Sequence, residues 1–229
     1  MQFPTLFASK TVLGLVAALT WLPQARSQTV IVDNLSQAIQ DYGAVTSSTW
    51  VANQFTTDNQ SYDLTSVRLN LRNAFNTAGN FIVQIWDDNL TTGPGNLLLT
   101  LSGSSNPASA GLYTYIPLTT VTLNPATSYW IAAGVSSGNG IYGWNSTSTS
   151  AANGLGSVGG FSVSFDGGAT WNGSDPSAHQ MFSVSGFSVP EPRSYALTAG
   201  AVLLGFAAWR RRNQRQNVRE TTSSSTSPR

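Results

Sequence analysis

The chain has 229 residues, 41% hydrophobic, 9% charged and without cysteine, which allows one medium-sized core and excludes disulfides, thiolate nucleophiles and cysteine-ligated metal sites. Its net charge of +1 hides a separation of charges, because residues 28–188 carry eight aspartates against only Arg68 and Arg72, a balance of about −6. Since such an acidic segment repels a phosphate backbone, we expect no nucleic-acid partner.

The first 27 residues have the layout of a secretory signal peptide. Lys10 and the free amino group form a positive start, the apolar run 11–22 follows, and Pro23 ends it. Cleavage is predicted between Ser27 and Gln28. Ala25 and Ser27 are the small residues expected at the third and first positions before such a site. A buried first helix is the alternative, and the small residues and the helix-breaking proline favour export instead.

Residues 28–188 alternate between short apolar runs and turn-rich clusters such as Thr92-Gly93-Pro94-Gly95. In Ser66–Arg72 and Phe81–Trp86 the apolar and polar residues alternate, as in a half-buried strand. Further strands are predicted at Val30–Leu35, Trp50–Thr56, Leu97–Leu101, Tyr129–Val135, Ile141–Trp144, Phe161–Phe165 and Met181–Phe187. Residues 145–160 are predicted to form an exposed loop. The pattern predicts an all-β domain, an antiparallel β-sandwich or jelly roll.

Three stretches of this domain carry a family resemblance. They are WVANQFTTDNQSYDLTSVRLNL from Trp50, VQIWDDNLTTGPGNLLLTL from Val83 and LNPATSYWIAAGV from Leu123. Together they resemble the choice-of-anchor domains that precede surface anchors. The resemblance implies a β-sandwich across most of residues 33–187, with no established biochemical activity.

Ser164–Trp171 fits the S-x-D-x-G-x-T-W pattern known as an Asp-box. Asp166 can accept backbone N–H groups in the turn, the glycines permit a left-handed backbone, and Trp171 can pack over the hairpin. Sialidase-like propellers contain the motif, but they repeat it, and this chain has one copy. The motif therefore predicts a structural turn.

No catalytic residue, metal site or cofactor is predicted. Asp87-Asp88-Asn89 could offer oxygen ligands to calcium, but no further ligands occur at recognisable spacing, which favours a turn. His179 is the one histidine, and no G-x-S-x-G nucleophile elbow accompanies it. We expect it to be a turn or surface residue.

The aromatic residues are the best route to a binding hypothesis. Most should fill the core, but an exposed Trp or Tyr could stack on a sugar ring. Tyr142 and Trp144, next to the predicted loop, are the expected exposed pair. The alternative function that they suggest is a carbohydrate-binding module that attaches to exopolysaccharide.

The C-terminal segment contains Pro190, Glu191 and Pro192, which end the last predicted strand. Residues 194–209 carry no charge and would form about 24 Å of helix, slightly less than the ~30 Å membrane core. Trp209, at the end of this segment, is placed like an anchor at the membrane interface. Arg210, Arg211 and Arg212 follow it and supply positive charge. This pattern predicts a transmembrane helix with the arginines in the cytoplasm.

The Val189-Pro190-Glu191-Pro192 motif, the apolar helix and the arginines resemble the PEP-CTERM sorting signal of Gram-negative bacteria. The resemblance implies recognition by a membrane-embedded exosortase at Pro190, Glu191 and Pro192, and retention by the arginines until the tail is removed. A simple C-terminal membrane anchor is the alternative. Residues 189–215 would form the signal and 216–229 a disordered tail.

These features predict an exported, exosortase-sorted protein of the cell surface or extracellular matrix without enzymatic activity. The precursor would lie in the inner membrane with its domain on the periplasmic side, and the mature form at the surface or outside the cell. An exported hydrolase is a third hypothesis, which would need acids or His179 to converge across loops.

Overall fold

The structure is a computed structural model that describes residues 27–89, 93–190, 200–201 and 203–212. Over these residues the strands, in chain order, are β1 (Gln28–Asp33), β2 (Asp41–Val45), β3 (Trp50–Thr56), β4 (Tyr62–Leu71), β5 (Gly79–Asp88), β6 (Pro94–Leu101), β7 (Gly111–Tyr115), β8 (Thr122–Leu123), β9 (Ser128–Gly138), β10 (Tyr142–Thr147), β11 (Asn153–Gly154), β12 (Ser157–Ser164), β13 (Asn172–Asp175), β14 (His179–Gln180) and β15 (Phe182–Ser188). Residues 200–201 and 203–212 are helical.

The strands form two antiparallel sheets that pack as a sandwich. The first sheet has the order β11-β1-β15-β4-β10-β14, with β2 also paired to β10 and with β7 and β8 paired to β4. The second has the order β13-β12-β3-β9-β5-β6. The predicted all-β sandwich is confirmed at this level.

The core lies between the two sheets because alternate residues of each strand point inward. Along β4, Leu64, Val67, Leu69 and Leu71 are buried and belong to the core. Val83 and Ile85 of β5 and Ile131 and Ala133 of β9 meet them from the second sheet. Period-two hydrophobicity therefore predicted which residues fill the interior.

Each predicted strand overlaps an observed one, and β3 has the predicted bounds. The sequence missed β2, β7, β8, β11, β13 and β14, which have two to five residues each. Such strands are too short to show a period of two, and they form because a longer neighbour offers them hydrogen bonds.

The prediction of an exposed loop at 145–160 is wrong for much of its length. Asn145, Ser146 and Thr147 are buried and complete β10, while β12 begins at Ser157. Their polarity gives no sign of a buried strand, because polar side chains usually face solvent. Asn145 Nδ2 instead donates to Asn70 Oδ1 at 2.9 Å, so burial leaves the pair satisfied.

The last strand, β15, ends at Ser188, and the backbone N–H of Val189 still donates to the carbonyl of Ser61 at 2.9 Å. In the helical residues 203–212, exposed apolar side chains are Leu203, Leu204, Phe206 and Trp209. Among the residues the structure describes, none of the helices has the length and apolar character needed to cross a membrane. The predicted signal peptide up to residue 26, Glu191, Pro192 and the tail 216–229 lie outside the described residues.

Candidate functional site

The outer face of the second sheet carries a second, smaller group of apolar side chains. Ala52, Trp130 and Ala132 are buried there, and the half-buried Trp86 and Trp171 pack against them. The strand register places Ala52 opposite Ala132 and Trp130 opposite Trp86. We call these five residues the outer tryptophan cluster. It faces away from the core because Ala52, Trp86, Trp130 and Ala132 alternate with inward residues of the same strands.

The Asp-box holds Trp171 against this cluster. Thr170 donates to the Asp166 carboxylate from its backbone N–H at 2.8 Å and from its hydroxyl at 2.6 Å, and the Ser164 hydroxyl donates at 2.7 Å. Gly167 and Gly168 have φ of 72° and 88°, which favour glycine. The hydrogen bonds from Thr170 and Ser164 lower the pKa of Asp166 to about 2. The predicted structural turn is confirmed.

On the other side of the cluster lie the end of β5 and the start of β6, which the loop after β5 joins. Asp88 Oδ1 accepts the indole N–H of Trp130 at 2.8 Å, and Asp87 accepts the side-chain amide of Asn96 at 3.0 Å and its backbone N–H. Asn89 Oδ1 accepts the N–H of Gly93 at 3.1 Å. Asp87 and Asp88 are the last two residues of β5 and therefore do not lie in a turn as predicted, whereas Asn89 follows the strand. Among the described residues, no group of three or more His, Cys, Asp or Glu side chains is arranged to hold a metal.

Between this loop and the Asp-box lies an open cleft of about 330 Å³. Its lining residues are Trp86, Asn89, Pro94, Gly95, Gly168, Ala169, Thr170 and Trp171. The rings of Trp86 and Trp171 meet edge to face, with centroids 6.0 Å apart and an interplanar angle of 76°. We call this space the tryptophan cleft.

The two indoles offer carbon surface to the tryptophan cleft. Trp86 Nε1 donates to Gln84 Oε1 at 3.1 Å, and the Gln84 amide donates in turn to Thr100 Oγ1 at 3.0 Å. Trp171 Nε1 is buried and has no hydrogen-bond partner among the described residues. The accessible part of each side chain is therefore apolar, since Nε1 is the one polar atom of an indole.

The surroundings of the tryptophan cleft are acidic. Asp87, Asp88 and Asp166 lie in the two segments that border it. The two basic residues of the domain lie in the first sheet region: Arg68 is in β4, and Arg72 is the residue that follows β4. The negative potential of these carboxylates disfavours phosphate, sulfate and carboxylate ligands.

The prediction that Tyr142 and Trp144 are exposed is wrong. They are 1% and 0% exposed, because β10 is paired to both β2 and β4 and turns these side chains into the core. Tyr142 donates its hydroxyl to Gly79 O, and Trp144 donates Nε1 to Met181 O, each at 2.8 Å. Neither ring can stack on a sugar in this fold.

The prediction of a turn or surface position for His179 is also wrong. His179 is 4% exposed and lies in β14, next to the end of β10. Its Nδ1 is 2.7 Å from the carbonyl oxygen of Gly159. This backbone partner satisfies the buried Nδ1, so His179 is accounted for as a structural residue.

The expectation that most aromatic residues fill the core is confirmed for Trp144, Tyr115, Tyr129 and Tyr142. Sequence reasoning missed the pair Trp86 and Trp171 as a site. A signal was present, because Trp86 alternates with the inward Val83 and Ile85 and therefore points outward. Their closeness comes from the β3–β9–β5 pairing together with the Asp-box turn, which no local pattern encodes.

Comparison with protein-family models finds no match for this chain, and no curated protein matches it. The geometry of the described residues is therefore the main support for any function assigned to the protein.

Proposed function

We propose that this protein is exported and then sorted by an exosortase to the cell surface or extracellular matrix, where it acts without enzymatic activity. The observation that carries the proposal is the end of the sandwich. The β15 strand, paired with both β1 and β4, ends at Ser188, two residues before Pro190. The last strand of the sandwich thus ends before the Pro-Glu-Pro motif, and we expect the sandwich to remain folded when everything beyond that motif is removed.

The segment after the motif supports the same proposal. Leu203, Leu204, Phe206 and Trp209 expose apolar surface next to Arg210, Arg211 and Arg212. An apolar surface bordered by cations fits a membrane interface, where arginines remain on the cytoplasmic side. The exosortase and the membrane are therefore the proposed partners during sorting.

The test is the intact mass of the protein recovered from the envelope and the medium of its native host. We expect a mature species that lacks residues 1–27 and the segment beyond the Pro190–Pro192 motif. Recovery of a chain that keeps the helix and the arginines would make the protein a simple membrane-anchored one.

A matched pair of variants sharpens this test, because the chain has two glutamates. Glu191→Gln alters the motif, and we expect it to accumulate as precursor. Glu220→Gln makes the same chemical change in the tail and should be processed like the wild type. Equal processing of both variants would remove the role of Glu191 in recognition.

Carbohydrate binding is the second candidate function, and the tryptophan cleft favours it. Trp86 and Trp171 present apolar ring surface beside polar groups of Asn89 and Thr170. The third candidate, an exported hydrolase, has weaker support. The ring of His179 is engaged by Gly159, and Asp87 and Asp88 accept hydrogen bonds from Asn96 and Trp130.

A further inference from the structure

We propose that the tryptophan cleft binds a single neutral hexopyranose residue of the cell's own exopolysaccharide. This inference rests on the second candidate function, carbohydrate binding. It replaces the buried Tyr142 and Trp144 with a different pair of rings, Trp86 and Trp171.

The shape of the tryptophan cleft fits one sugar ring. Its volume of about 330 Å³ is at the lower end of the range for ligand pockets. The rings of Trp86 and Trp171 stand at 76° to each other, so they form a corner. A pyranose has an apolar C–H face and a ring edge, and a corner of two indoles can contact both.

The polar atoms at the rim of the tryptophan cleft suit sugar hydroxyl groups. Thr170 Oγ1 donates its proton to Asp166 Oδ2 at 2.6 Å, which leaves its lone pairs as acceptors. Asn89 is exposed at the opposite side of the rim. Apolar rings at the centre and hydrogen-bonding groups at the edge are the usual arrangement of a specific small-molecule site.

The charge of the surroundings selects a neutral sugar. Asp87, Asp88 and Asp166 border the site, and Arg68 and Arg72 lie in and just after β4 of the other sheet. A uronic acid or a sulfated sugar would bring a further negative charge close to these carboxylates, and the described lining of the cleft includes no Arg or Lys to offset it. Neutral gluco- or galactopyranose units avoid that repulsion.

The walls of the tryptophan cleft are held in place before any ligand binds. The Asp-box fixes Trp171 through hydrogen bonds that converge on Asp166, and the Gln84–Thr100 pair fixes the indole of Trp86. Binding then orders few side chains, which lowers its entropic cost. A rigid corner of this kind favours recognition of a repeated unit in a long polymer.

The test uses the full-length chain and measures its retention in gels that contain a polysaccharide, together with tryptophan fluorescence during titration. The probes are an unbranched neutral glucan, a neutral galactan, polygalacturonate as the anionic counterpart, and the exopolysaccharide purified from the native host. We expect the exopolysaccharide and at least one neutral polymer to retard the protein and polygalacturonate to leave it unchanged.

Two variants address the site, and one serves as the matched control. Trp86→Ala removes one wall, and Ala169→Gln fills the cleft from an exposed position without removing an existing contact. Each should weaken retention by about tenfold. Phe165→Ala removes an aromatic ring that is 68% exposed in the same turn but outside the cleft lining, and it should bind like the wild type.

The outcomes separate the site from the function. If the wild type binds a neutral polymer and both cleft variants bind it equally well, the site is overturned and carbohydrate binding lies elsewhere on the protein. Failure of the wild type to bind any neutral polymer, or a preference for polygalacturonate, overturns both. Binding to a commercial polymer but not to the host exopolysaccharide overturns the assigned source. The mass measurement on sorting is independent of all these results.

Discussion

The two faces of the second sheet are built from the same strands and serve different ends. On the inner face, residues such as Val83, Ile85 and Ile131 are fully buried against the first sheet. On the outer face, Trp86 and Trp171 of the outer tryptophan cluster stay half-buried. The inner face is closed by the core, and the outer face leaves the rings of Trp86 and Trp171 partly exposed.

The largest expected effect is in the core that the inner face lines, to which Trp144 of β10 in the first sheet belongs. Trp144→Ala removes a fully buried indole and its hydrogen bond to Met181 O, so we expect a loss of about 3–5 kcal/mol in the free energy of unfolding. Urea denaturation followed by circular dichroism measures this loss. Trp86→Ala on the outer face should cost less than half as much. Equal costs would contradict the distinction between the faces.

A second change examines packing on the outer face alone. A Cβ added at Gly134 would overlap the indole of Trp50, so Gly134→Ala should cost about 1–3 kcal/mol by overpacking. In a Trp50→Ala background the same substitution should cost much less, since the ring that it strikes is gone. The double-mutant cycle, measured by urea unfolding, would refute this explanation if the two costs were the same.

A third change concerns the turn that holds Trp171. The pKa of Asp166 is lowered from 3.8 to about 2, so the folded state favours its ionised form. The stabilisation is fully present above about pH 4 and is lost as the pH falls toward 2. The melting temperature of Asp166→Asn should therefore lie below that of the wild type at neutral pH, and the difference should shrink between pH 4 and pH 2.

The control for this titration is Asp41→Asn. Asp41 is another exposed aspartate, and its carboxylate accepts the backbone N–H of Tyr42. Asp41 lies in β2 of the first sheet, away from the Asp-box. If the difference in melting temperature between the wild type and Asp166→Asn does not change with pH, the assigned role of the Asp166 carboxylate is contradicted.

The smallest expected effect is that of calcium. The carboxylates of Asp87 and Asp88 already accept hydrogen bonds from Asn96 and Trp130, which leaves the turn stabilised without an ion. Thermal melting in excess calcium and in chelator should therefore give the same midpoint. A clear upward shift with calcium would show that the loop at the rim of the tryptophan cleft is a cation site.

The positions of most long strands are predictable from local pattern, whereas the candidate site is not. Phe81, Val83 and Ile85 alternate with polar residues, and this period alone predicts that all three face the core, where they lie. Tyr142 and Trp144 are aromatic residues in a short run beside polar sequence, and their local pattern gives no sign of which strands flank them. Pairing of β10 with β2 and β4 buries both.

By itself, the sequence determined the all-β class, most strand positions and the Asp-box turn, because each depends on contacts between residues close in the chain or on a period of two. Only the tertiary structure decided that Trp86 and Trp171, 85 positions apart by their numbers, share a cleft. It also decided that the polar run Asn145–Thr147 is buried. Both outcomes depend on which strands become neighbours, and that choice is settled by the packing of the whole sandwich.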